Sequence, residues 1–189
     1  MCIFNGWIIL AVAVAAVLWV IAMYNRLVSL KNQTMNGWKQ IDVQLKRRHD
    51  LIPNLVETVK GAMKFEQGTL TKVIEARNRA ISAQGVAEKA KEENMLSGAL
   101  RQLFALTENY PDLKSNSNIA KLQEELSSTE NRIGFARQFY NDIATQFNTA
   151  QQVFPTNMFA GIFGFKPAEL FEITDNAERA VPKVDLEMK

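Results

Sequence analysis

Residues 119–154, IAKLQEELSSTENRIGFARQFYNDIATQFNTAQQVF, decide the fold. Ile119, Leu122, Leu126, Thr129, Ile133, Ala136, Tyr140, Ile143, Phe147, Ala150 and Phe154 recur in steps that alternate three and four. A period near ~3.5 places them on one helical stripe, and a stripe sustained this far needs long helical partners in a coiled-coil-like bundle. Phe135 and Phe139 widen the apolar face, so more than one neighbour is expected to cover this helix. Pro155 ends it, because proline lacks an N–H and crowds the preceding turn.

Similar spacing runs upstream through Leu27, Leu30, Thr34, Trp38, Ile41, Leu45, Arg48, Ile52, Leu55, Val59 and Met63, with polar intrusions at Thr34 and Arg48. It predicts a second long helix that Pro53 bends or restarts. Gly61 and Gly68 bracket its exit. Between the two stripes lie weaker ones, Leu70, Val73, Ile74, Arg77, Ala80 and Ile81, then Met95, Ala99, Leu103 and Leu106. Gln84 and Gly85 separate them, leaving one interrupted helix or two. Tyr110-Pro111-Asp112 stops this region, and 112–118 reads as a loop that ends in capping residues.

Before the first stripe, Ile3 to Tyr24 read IFNGWIILAVAVAAVLWVIAMY. As a helix at ~1.5 Å per residue this reaches about 33 Å, enough for a ~30 Å hydrocarbon core. All 22 basic and 20 acidic residues lie from Arg26 onward, so the chain is two materials joined there. A cleavable signal sequence fits less well, since no basic residue precedes the stretch and the stretch exceeds the ~7–15 residues of a signal core. Trp7, Trp19, Tyr24 and Arg26 are the candidate membrane-interface residues. Basic residues follow the span and none precedes it, so the charge rule puts the N-terminus outside and the folded part in the cytoplasm.

The fold class expected is all-α: a transmembrane anchor over 1–25, an elongated antiparallel helical bundle over 26–155, and an irregular C-terminal segment over 156–189. With one domain's length, one cysteine (Cys2) and one histidine (His49), a disulfide framework and multi-Cys or multi-His metal centres are excluded. No nucleophile elbow, phosphate loop or dinucleotide fingerprint appears, and no metal or cofactor is expected. His49 lies beside Asp50 and is read as a solvated or hydrogen-bonded histidine ahead of an acid–base catalyst. Lys46-Arg47-Arg48 offers a basic patch, yet Asp42, Asp50 and Glu57 break any sustained basic stripe, so nucleic acid is not an expected partner.

The candidate polar network joins Lys46, Arg47, Arg48, Asp50 and Asn54 to Glu130, Asn131, Arg132, Tyr140, Asn141 and Asp142, with Arg47 or Arg48 pairing acids such as Glu130 or Asp142. The Gly-punctuated stretch 157–165 is too short to span a bilayer. It caps the bundle, dips into the interface, or buries Met158, Phe159, Ile162, Phe163 and Phe165 against a neighbouring subunit.

The chain resembles the LemA family of bacterial membrane-anchored proteins. The match is carried by Tyr24-Asn25-Arg26-Leu27-Val28, the run 38–56 (WKQIDVQLKRRHDLIPNLV), Glu75-Ala76-Arg77, the run 108–114 (ENYPDLK), Glu130-Asn131-Arg132-Ile133, the run 136–141 (ARQFYN) and Phe154-Pro155. Where the family often shows a second Tyr-Asn pair, this chain has Phe147-Asn148. The resemblance implies a membrane helix and an elongated bundle, and brings no reaction with it. The reading that follows is a single-pass, inner-membrane, homo-oligomeric scaffold without chemistry of its own. An accessory or adaptor subunit of a membrane enzyme such as a protease, and a carboxylate-based enzyme, are the alternatives.

Overall fold

A computed structural model describes residues 2–61 and 67–171. Among them the architecture is all-α: α1 (Cys2–Lys60), α2 (Gln67–Ser82), α3 (Gly85–Thr107), α4 (Pro111–Lys114), α5 (Ser117–Gln152) and α6 (Thr156–Ala160). The expected C-terminal segment is described only to Phe171, and Met63 and 172–189 lie outside the described residues. Its described part is a short helix, a turn and an irregular stretch.

Both long stripes face inward as the spacing predicts. On α5 every stripe residue from Ile119 to Ala150 is buried except half-buried Leu122, while Phe154, beyond the helix, is exposed. On α1 Leu27, Thr34, Ile41, Leu45, Arg48, Ile52, Leu55 and Val59 are buried. Pro53 neither stops nor restarts α1, which runs through it without a break. The stretch read as a loop holds α4, opened by Pro111 at its first position, where the missing N–H is no loss.

α2 and α3 are two helices, separated at Ala83 and Gln84. Gly85 sits at φ +75°, a left-handed backbone that a side chain would strain. The Gln84 N–H is then taken up by the Glu88 carboxylate, 3.0 Å away. The inward stripe of α3 is Ala90, Glu93, Leu96, Leu100, Leu103 and Thr107, not the Met95, Ala99, Leu103, Leu106 series read from the sequence. A glutamate inside a stripe reads as its end, and this shifted the phase.

The contacts group the chain into two compact units: residues 2–45 with 130–170, and 46–61 and 67–129 with Phe171. In the first unit, Gly37 lets α1 approach α5 closely, for a β-carbon there would meet the Tyr140 α-carbon at 3.4 Å. Trp38 and Tyr140 pack beside it with ring centroids 5.6 Å apart. In the second unit the core is built from Ile52, Leu55 and Val59 of α1, Leu70, Val73 and Ala80 of α2, Leu96, Leu100 and Leu103 of α3, with Leu113, Ile119 and Leu126.

Candidate functional site

The second unit buries a charged cluster at one end of that apolar core. Arg48, on the α1 stripe, is 1% exposed, and Glu93, on the α3 stripe, is fully buried. Isolated charges in such a place cost several kcal/mol each, of order 3–5 when one partner is removed, so both must be paired. Arg48 Nη2 bonds the Glu93 carboxylate, and Nη1 donates to Ser97 Oγ, one turn further along α3, at 2.9 Å. His49 Nε2 lies 2.8 Å from the other Glu93 oxygen.

Burial pushes the Glu93 carboxyl up. The hydrogen bond from His49 and the positive charges of Arg48 and His49 outweigh it, leaving the pKa below the usual 4.5. Glu93 therefore stays ionised at neutral pH and is committed to its partners. A buried carboxylate already engaged by a guanidinium and an imidazole is poorly placed to carry protons for a substrate.

The backbone of the same turn is also repaired from outside α1. Pro53 has no N–H for the His49 carbonyl, its partner four residues back. Arg77 Nε of α2 donates to that carbonyl at 2.8 Å. The helix keeps its proline because a second helix supplies the missing donor.

These findings correct part of the sequence reading. Of the two readings of His49, solvated or hydrogen-bonded, the structure supports the second, with the ring buried against Glu93. Phe135 and Phe139, expected to lie under a second neighbour, are exposed. Lys46, Arg47, Asp50 and Asn54 are exposed in the second unit, where Arg48 turns into the core. Glu130, Asn131, Arg132, Tyr140, Asn141 and Asp142 belong to the first unit, with Tyr140 buried. Glu93 has no place in the α3 series read from the sequence; in the observed phase it is the one charged residue on its stripe, opposite in sign to Arg48. Among the described residues no group of three or more His, Cys, Asp or Glu is placed to hold a metal ion.

In the first unit the C-terminal stretch is tied down by two polar side chains of α5. Asn148 donates to the Ala168 carbonyl at 2.9 Å and accepts from its N–H at 2.7 Å. The Tyr140 hydroxyl donates to the Glu169 carbonyl at 2.7 Å. Burial, with a smaller contribution from the Glu169 charge, raises the Tyr140 pKa above its ordinary value.

Among the described residues this is a helical protein with one helix long and apolar enough to cross a membrane, and with a buried cluster of charged side chains engaged with one another. The LemA family model matches residues 37–186, and the chain belongs to that family. It is 27% identical over 155 residues to Protein LemA of Metamycoplasma hominis, covering 80% of this chain and 69% of that one. Magnetosome protein MamQ 2 of Paramagnetospirillum magneticum is 26% identical over 185 residues, covering 84% and 68%. Magnetosome protein MamQ of Magnetospirillum gryphiswaldense is 24% identical over 184 residues, with the same coverage.

Proposed function

We propose that this LemA-family protein is a non-enzymatic scaffold, held in a bacterial inner membrane by the first part of α1 and assembled through its helices. One observation carries this reading. Val43 and Phe135, 64% and 73% exposed, line a groove of about 540 Å³ with Gln40, Gln44 and Phe139, on helices whose other face is buried. Large apolar side chains left bare beside a packed seam favour association with another surface. A membrane helix confines copies to two dimensions, which raises their effective concentration and lets weak contacts close a symmetric assembly.

The occupant we assign to the groove is a second copy of the chain. The test is the native mass of the full-length protein in detergent, beside a Phe135→Asp variant. A discrete multimer that the variant dissociates supports the scaffold. A monomer in both cases sinks it, and makes an adaptor to a membrane enzyme the better reading. The topology assigned is N-terminus outside. Cys2 should then react with an impermeant thiol reagent in intact cells, and labelling only after permeabilisation overturns this.

A further inference from the structure

From Ile143 to Phe165 no residue carries a charge, and Asp142 and Lys166 mark its limits. In the first unit this stretch finishes α5, turns at Phe154-Pro155, forms α6 and returns through Gly164, whose φ of +71° suits glycine. The rings of the returning segment are ranged along α1. Phe159 packs on Trp19 at 6.3 Å and Phe163 on Tyr24 at 5.1 Å between centroids. Phe165 lies 5.8 Å from Tyr24, with the Lys31 ammonium 6.0 Å above its face.

The side chains that do not face α1 are bare. Phe154 is 79% exposed, Ile162 78% and Met158 61%. Trp19 precedes Tyr24 by about 7 Å along the helix axis, so the tip reaches that far back beside the apolar segment. This is the depth, about 5–10 Å, at which interfacial segments bury their apolar face in a bilayer. Where the apolar side chains end, three exposed cations begin: Arg26 and Lys31 on α1, and Lys166 on the returning chain.

We infer that residues 153–165 are a second, interfacial membrane anchor whose occupant is lipid. Phe154, Met158, Ile162 and Phe163 enter the boundary between headgroups and acyl chains, and Arg26, Lys31 and Lys166 meet the phosphates of anionic lipids. The inference rests on reading α1 as a membrane-crossing helix. Lipid is the fitting occupant because the tip lies alongside Trp19, a level at which a spanning helix is already surrounded by it. The arrangement holds the first unit at two points rather than one.

The test uses the full-length protein in vesicles of phosphatidylcholine and phosphatidylglycerol, with Cys2→Ser and an environment-sensitive dye on a single new cysteine. Ile162→Cys reports the tip, Val14→Cys the span and Glu124→Cys an aqueous position. The Ile162 dye should emit to the blue of the Glu124 dye and be quenched by lipids brominated high on the acyl chain, while those brominated low should quench the Val14 dye. An Ile162 dye quenched by aqueous iodide and not by bromolipid, with Val14 still quenched, overturns the second anchor and leaves the span standing. Shielding of Ile162 from both quenchers means that protein covers it, and overturns the inference equally. Loss of bromolipid quenching at Val14 removes the span, and the inference falls with it.

Discussion

Arg77 Nε completes the hydrogen bonding of the His49 carbonyl, the acceptor that Pro53 leaves without a donor in its own helix. The pairing explains why a proline is tolerated within α1 of a packed unit, and it makes two positions on different helices dependent on one another.

Arg77→Met should therefore destabilise the second unit by about 1–3 kcal/mol, the range for leaving a buried carbonyl unsatisfied. Pro53→Ala restores the N–H and should recover a large part of that loss in the double variant. Thermal unfolding of the four-member cycle measures the coupling, and additive effects would show that the two sites are independent.

Removing the Glu93 carboxylate should be costlier. Glu93→Leu takes the buried acid from Arg48 and His49 and should cost about 3–5 kcal/mol, while adding Arg48→Met should return much of it by replacing charge with apolar volume. Denaturant titration checks both.

The same carboxylate sets an acid limb. Its pKa is lower in the folded chain than the ordinary 4.5, so the unfolded chain takes up the proton first. Its stabilising contribution is complete above about pH 4.5 and is lost as pH falls through the folded value. Glu93→Gln should flatten this part of the stability profile, and an unchanged acid limb would assign it to other groups.

Tyr140 and Asn148 make a prediction about the C-terminal stretch. Tyr140→Phe should cost about 1 kcal/mol through the bond to the Glu169 carbonyl. Hydrogen exchange at Ala168 should accelerate in Asn148→Ala and much less in Tyr140→Phe. An ultraviolet titration of the wild type should show a component ionising above the ordinary tyrosine range, and Tyr140→Phe should abolish it.

At Gly37 the space is nearly closed. Gly37→Ala places a methyl at ordinary contact distance from Tyr140 and gains helix propensity, so it should be neutral or stabilising by up to about 1 kcal/mol. Gly37→Leu overfills the crossing and should cost about 1–3 kcal/mol. Melting temperatures of the two variants decide this.

Periodicity made the helices legible: the stripes through Leu27–Val59 and Ile119–Ala150 are those the structure buries. The charged cluster was only half legible. Arg48 stands out as a cation on an apolar stripe, but Glu93 lies where the pattern is weak, and periodicity treats a buried ionic pair as two interruptions. Phe135 and Phe139 are legible as apolar but not as partnered, since hydrophobicity indicates a need for cover and not which molecule supplies it. Arg77 also stands on an apolar stripe, but nothing in that stripe names its acceptor. Its role follows only from a missing N–H on another helix.

The unbroken course of α1 gives phase a meaning that composition does not have. Each residue turns the helix by about 100°. Inserting one alanine between Trp19 and Leu27 would leave hydropathy and charge unaltered, yet rotate Trp19 away from Phe159 while Leu27 stays in its core. Between Trp19 and Leu27, apolar substitution should thus be tolerated at the exposed positions, whereas a change in length by a single residue should break the Trp19–Phe159 contact.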